Sequence, residues 1–176
     1  VVPGWIVRQR PAEGTDLDEG DILENVWNAP VKEMFKLTVD PRDAPDEPET
    51  IVLAFEQGVP VALNGKRLGP VEMVETLNRV AGAHGVGRLD LVENRLVGIK
   101  SREVYEAPAA TLIHMAHTEL ERICLDRPTF NYKRKLSQDF ANLIYDGLWF
   151  GPLRECMQAF LVQSNRPLTG DVRIRV

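Results

Sequence analysis

AGAHGVGRLDLVENRLVGIKSREVYEAP, residues 81–108, passes from the end of one helical pattern through two β-rich runs to the start of another helix. Between 88 and 94 the alternation has period two, so Leu89 and Leu91 share a face and Glu93 is next on it. A carboxylate turned inward beside leucines requires a cationic or hydrogen-bonding partner. The second run, LVGIKS, leads to Tyr105, Glu106, Ala107 and Pro108, where proline suits the first turn of a helix. This predicts Tyr105 at a helix N-terminus, a place that collects anions. Glu93 and Tyr105 are therefore candidate binding residues for a small molecule carrying both charges, an amino acid being the obvious one. The competing reading makes Glu93 a structural partner of Arg88, Arg95, Lys100 or Arg102, and the pattern alone does not choose. Arg95, Lys100 and Arg102 themselves read as ion-pair or interface groups rather than catalysts.

Upstream, TIVLAF and VPVALNG flank Glu56, Gln57 and Gly58, which predicts a hairpin, and Asn64-Gly65 adds a second turn signal. Pro70 opens a helix ending near His84 and Gly85, with Val74, Leu77, Val80 and Ala81 as its buried stripe. Downstream come three helical patterns. Leu112, Ile113, Ala116, Leu120, Ile123 and Cys124 line the first, which ends before Asp126, Arg127 and Pro128. Tyr132, Leu136, Phe140, Leu143 and Ile144 line the second, stopped by Gly147, and Leu153, Cys156, Met157, Phe160 and Leu161 line the third after Pro152. Residues 171–176 alternate like a strand. The expected class is α+β or mixed α/β: a β-hairpin and central strands forming a sheet packed by about four helices. Residues 1–20 read as an irregular arm, a short helical turn is expected within 31–37, and the acidic, proline-rich run at 40–49 reads as an extended connection. This divides the chain into an arm and linker, 1–49, and a folded domain, 50–176.

The 176 residues, 44% of them hydrophobic, suffice for one substantial core. A formal net charge of -5 argues against nucleic acid or an anionic membrane as the main partner. Lys133, Arg134 and Lys135 read as a solvated helix face. No apolar run approaches the roughly 18–20 residues needed to cross a bilayer, and no secretory signal is present, so a cytoplasmic location is expected. Cys124 and Cys156 fall on helical apolar faces and read as core thiols rather than a disulfide or metal pair. The chain has no initiator methionine and stops on DVRIRV, so it is expected to be a piece of something longer.

Few constellations carry chemistry. His114, His117 and Glu121 lie at i, i+3 and i+7 of one helix, a spacing open to metal ligation, yet helical histidines beside an apolar stripe more often pack or hydrogen-bond. Gly85-Val86-Gly87 is half a dinucleotide fingerprint in the wrong order, following a helix and preceding a strand. No phosphate loop and no nucleophile motif occur, so no catalytic, cofactor-binding or metal-binding residue is assigned. Trp149 and Phe150 read as caps on a core.

The wording of AGAHGVGRLDLVENRLVGIKSREVYEAPAAT closely resembles the C-terminal synthetase domain of the argininosuccinate synthase family. The resemblance extends through EQGVPVALNGKRL, VETLNRVAG, AHTELERICLDR and LIYDGLWFGPLRE, and covers roughly residues 22–176. It implies an enzyme that joins citrulline to aspartate with ATP and magnesium, releasing AMP and pyrophosphate, in arginine biosynthesis and the urea cycle. It also implies that Glu93 and Tyr105 contact citrulline, and that the assembled protein is a homotetramer. The family's SGGxDTS and GNDxxRF elements, which bind ATP, aspartate and citrulline, do not occur here, nor does the serine-bearing SxDENLxG segment that should precede ILEN. The resemblance therefore implies a fragment that supplies citrulline contacts and an oligomer interface, is truncated at its C-terminus, leaves ATP to an N-terminal domain and is inactive alone. The alternative is a non-catalytic amino-acid-binding or assembly module that retains the fold.

Overall fold

The computed structural model describes residues 7–8, 23 and 27–176, so the irregular arm expected at 1–20 lies largely outside the described residues. Among those described, the elements run β1 (Val7–Arg8), a 3-10 turn (Lys32–Met34), β2 (Thr50–Glu56), β3 (Val59–Leu63), β4 (Lys66–Arg67), α1 (Pro70–Ala83), β5 (Arg88–Asn94), β6 (Lys100–Glu106), α2 (Pro108–Cys124), α3 (Arg127–Tyr145), α4 (Pro152–Asn165) and β7 (Gly170–Arg175). The class is α+β, as expected. Its strands divide between two antiparallel sheets rather than joining in one.

The larger sheet has the order β4-β3-β2-β7. β2 is its centre because Ile51, Leu53 and Phe55 alternate with residues on the opposite face and are all buried. Each such side chain contributes about 1.5–3 kcal/mol when fully removed from water. β7 pairs along the whole of β2, from Thr50 with Arg175 to Phe55 with Gly170. The β3–β4 turn falls at Asn64 and Gly65, both at positive φ (49° and 82°), which a two-residue hairpin turn of the right twist requires. Against the buried face pack Met73, Leu77 and Ala81 of α1, Ala109, Leu112, Ala116 and Leu120 of α2, and Leu168. Both helices open on proline, at Pro70 and Pro108.

The smaller sheet has the order β1-β6-β5, and its main part is the β5–β6 hairpin. β5 spans the residues expected, but the second strand begins at Lys100, and most of LVGI forms the turn, where Gly98 N–H donates to Arg95 (2.9 Å). The face shared by Leu89, Leu91 and Glu93 is not the hydrophobic core, since both leucines remain exposed. Tyr105 is not at a helix N-terminus: it lies in β6, and the helix starts three residues later.

Two contacts join the layers. Gly87, at φ 105°, sits where a Cβ would lie 2.5 Å from Pro108 Cα, and its carbonyl accepts from Ala107 N–H (2.8 Å), so the strand and the α2 start touch backbone to backbone. The Glu106 carboxylate, 1% exposed, accepts from the N–H groups of Lys36 (2.7 Å), Leu37 (3.0 Å) and Thr38 (2.8 Å) and from the Thr38 hydroxyl (2.6 Å). It thereby fastens residues 36–38 onto the end of β6.

α3 and α4 form a smaller cluster around Leu136, Phe140 and Leu161, with Met157 and Phe160 beside it. Several expected core residues stay outside. Ile123 is 84% and Phe150 91% exposed, and Cys156 is exposed, because no element covers those faces within the described residues. Trp149 meets Phe140 edge to face at 6.5 Å and is only partly covered. No helix of the described residues is long and apolar enough to cross a membrane.

Candidate functional site

The β5–β6 register builds one polar face from both strands. Leu89 pairs with Tyr105, Leu91 with Glu103 and Glu93 with Ser101, so these six residues point to the same side. The two residues singled out from the sequence meet there: the Tyr105 hydroxyl donates to Glu93 Oε1. Arg95, just past the end of β5, completes the group. Its Nη1 lies 3.3 Å from Glu93 Oε2, its Nη2 pairs with Glu103 Oε1, and its Nε donates to Ser101 Oγ (2.7 Å). Arg95 is thus the structural partner anticipated for Glu93, without displacing Tyr105. Glu103 and Ser101 were not singled out in the sequence. Neither strand alone singles them out: the hairpin register about the turn at 95–99 is what places 101, 103 and 105 opposite 93, 91 and 89.

Burial, and then the carboxylates of Glu93 and Glu103, push the Tyr105 phenol up to about 12, only partly opposed by Arg95. It is a proton donor at neutral pH. Glu93 is mostly but not fully buried, which leaves its carboxylate able to accept from a polar ligand while Tyr105 and Arg95 fix its orientation. The face can bind and orient an N–H-bearing molecule. It offers no activated nucleophile.

The opposite face of the hairpin is structural. Arg102 forks onto Asp90 (Nε to Oδ1 2.8 Å, Nη2 to Oδ2 2.7 Å) and reaches the Asn28 carbonyl (3.0 Å), holding Asp90 ionised below its ordinary range. Arg88 donates to the Thr38 hydroxyl (2.7 Å) and stacks over Phe35 at 3.7 Å. Lys100 donates to Asn94 Oδ1 (2.6 Å). Arg102 makes an ion pair, as expected, whereas Lys100 bonds an amide oxygen and Arg88 anchors Thr38 and Phe35 rather than Glu93.

His117 and Glu121 touch (3.3 Å), but the third group on that carboxylate is a lysine, not a metal: Lys133 Nζ lies 2.5 Å from Glu121 Oε1. Lys133 is 4% exposed, so the basic run at 133–135 is not wholly a solvated face, although Arg134 and Lys135 are exposed. Among the described residues no three His, Cys, Asp or Glu side chains converge as metal ligands. The Gly85–Gly87 turn is closed by packing: a Cβ on Gly85 would lie 3.1 Å from Pro41 Cα, and one on Gly87 would strike Pro108.

The chain is thus an α+β domain whose core lies against one sheet and which carries a polar face on a separate hairpin. Residues 15–176 match the family described as Arginosuccinate synthase C-terminal domain. The chain is 52% identical over 158 residues to the argininosuccinate synthase of Roseiflexus sp., 54% to that of Symbiobacterium thermophilum and 49% to that of Chlorobium phaeobacteroides. In each case the match takes in 90% of this chain and 39–40% of the relative, so the chain spans about two fifths of the length of these curated relatives. It belongs to the argininosuccinate synthase family.

Proposed function

We propose that this chain is the citrulline-binding and assembly part of an argininosuccinate synthase, a cytoplasmic ligase that joins citrulline to aspartate and converts ATP to AMP and pyrophosphate. The observation that carries the reading is the Tyr105–Glu93 hydrogen bond, which holds a phenol and a carboxylate together on a partly open face. Glu93 accepts from citrulline N–H groups, and Tyr105 helps hold its polar end. Holding one end of the substrate restricts where the distant ureido group can travel. Such positioning can lower a barrier by several kcal/mol, up to roughly 7–11 in ideal cases.

The residues described do not fit ATP or its magnesium. The glycine turn that might have cradled a phosphate is filled by Pro41 and Pro108, and no carboxylate cluster stands ready for a cation. ATP, magnesium and aspartate are therefore assigned to a nucleotide-binding half outside these residues. Self-association into a homo-oligomer belongs to the same proposal.

The test is Glu93→Gln and Tyr105→Phe in a synthase that carries this domain together with its nucleotide-binding half. The citrulline KM should rise about tenfold in Glu93→Gln and somewhat less in Tyr105→Phe, as expected for one lost charge-assisted and one neutral hydrogen bond. Unchanged citrulline kinetics in both would sink the assignment.

A further inference from the structure

On the polar face of the β5–β6 hairpin, two carboxylates share one guanidinium. Arg95 reaches Glu103 through Nη2 and Glu93 through Nη1. Glu103 is the more buried carboxylate, and Ser101 takes the Arg95 Nε at 2.7 Å, so the arginine is held from the β6 side. Tyr105, on the other oxygen of Glu93, is a neutral donor. The group of Glu93, Glu103, Arg95 and Tyr105 therefore carries one negative charge more than its own cation balances.

We propose that Glu103 is a positioning residue that sets which end of the substrate this site recognises: by drawing Arg95 to itself it leaves Glu93 with charge to spare, so Glu93 selects the α-ammonium group. This inference rests on the citrulline reading and deepens it. On a zwitterionic amino acid with a neutral side chain, only the ammonium can balance a carboxylate; the ureido N–H groups can hydrogen-bond but bring no charge. Without Glu103, Arg95 would turn wholly to Glu93 and neutralise it, and an ammonium would then have no advantage over an uncharged group. A partner that fixes the charge state of a binding carboxylate acts on specificity without touching the ligand.

The 176-residue chain is titrated, by NMR shift changes, with L-citrulline and with 5-ureidopentanoate, the same molecule lacking the α-ammonium. Wild type should prefer citrulline by roughly tenfold or more, and Glu103→Gln should bring that preference below about threefold, chiefly by weakening citrulline. Glu103→Asp, which keeps the charge, should retain most of the preference. Arg95→Gln should retain it too, since removing the shared cation leaves Glu93 charged; this variant also keeps the test open if Glu103→Gln does not fold. If Glu103→Gln weakens both ligands equally, or if Arg95→Gln abolishes the preference, the inference is overturned. Glu93→Gln separates the two levels: if it leaves citrulline binding intact, or if wild type binds no citrulline, the citrulline reading fails as well. Loss in Glu93→Gln with a full preference in Glu103→Gln overturns only the role of Glu103.

Discussion

Glu106 illustrates how one side chain can decide the state of a whole segment. It stands beside Tyr105 in the chain but on the other face of β6, and its carboxylate occupies the cradle made by consecutive N–H groups at 36–38. An ionised carboxylate is the natural guest for such a cradle, because every donor points at it and it has acceptor sites for all of them. Replacing it with glutamine keeps the volume but turns an NH2 group against those N–H donors. Glu106→Gln should therefore destabilise the fold by about 2–4 kcal/mol, as for other losses of a buried, multiply bonded charge. Urea unfolding measures this, and a midpoint equal to wild type would contradict the anchoring role. The effect should be structural: because the Glu93 face is opposite, citrulline binding by the folded fraction should persist.

Between elements, the contact that matters most is ionic. Lys133 of α3 is buried against Glu121 of α2 and also donates to Asn165 Oδ1 of α4, so three helices meet at one ammonium. Removing it strands a buried carboxylate: Lys133→Met should cost about 3–5 kcal/mol, and much of that should return in the Lys133→Met, Glu121→Gln double variant, which the urea midpoints of the three proteins would reveal. His117 sits in the same place, edge-on to Phe55 at 6.0 Å. Burial lowers its pKa from the ordinary 6.5 to about 4; Glu121 opposes the shift and Lys133 adds to it. Between those two pH values the unfolded chain binds a proton that the folded one refuses. The contribution is therefore complete above about pH 6.5, declines as pH falls toward 4 by up to about 1.4 kcal/mol per pH unit, and is flat below. Stability measured at pH 7 and pH 5 should fall more in wild type than in His117→Gln, and equal losses would mean that another group titrates. This junction explains why the helices were legible in the sequence and their surroundings were not. Periodicity and the prolines at 70, 108, 128 and 152 locate all four helices, because they report local geometry. An apolar stripe, however, does not say how much of it a neighbour covers. Ile123 and Cys156 carry the same pattern as Leu120, Phe140 and Leu161 yet face outward, Phe150 caps nothing among the described residues, and Lys133 lies inside a run that reads as solvated.

For the molecule as a whole, the binding face was readable only in part. Glu93 stood out because a carboxylate interrupted an apolar alternation, whereas Tyr105 was singled out for a helix terminus it does not occupy. The hairpin register brought the two together and added Glu103, and register cannot be read from either strand alone. On the proposed division of labour, in which this domain orients citrulline and another half holds ATP, the chain should form no argininosuccinate from citrulline, aspartate and ATP by itself. Adding the nucleotide-binding half of a relative in trans is the condition under which activity should appear, and product formed by this chain alone would refute the division of labour. Assembly is the remaining expectation at this scale. Leu148, Phe150 and Leu153 at the α3–α4 corner are exposed, as are Leu96, Val97 and Ile99 at the hairpin tip, and the Tyr145 hydroxyl donating to the Asn94 carbonyl (3.3 Å) brings these two regions together. Apolar surface gathered in this way is costly in water, and self-association of two copies of the chain is proposed to cover it. Sedimentation should detect an oligomer that Phe150→Glu dissociates without altering the circular dichroism spectrum, since a side chain 91% exposed supports no core. A wild-type chain that remains monomeric across the accessible concentration range would assign that surface to something other than self-association.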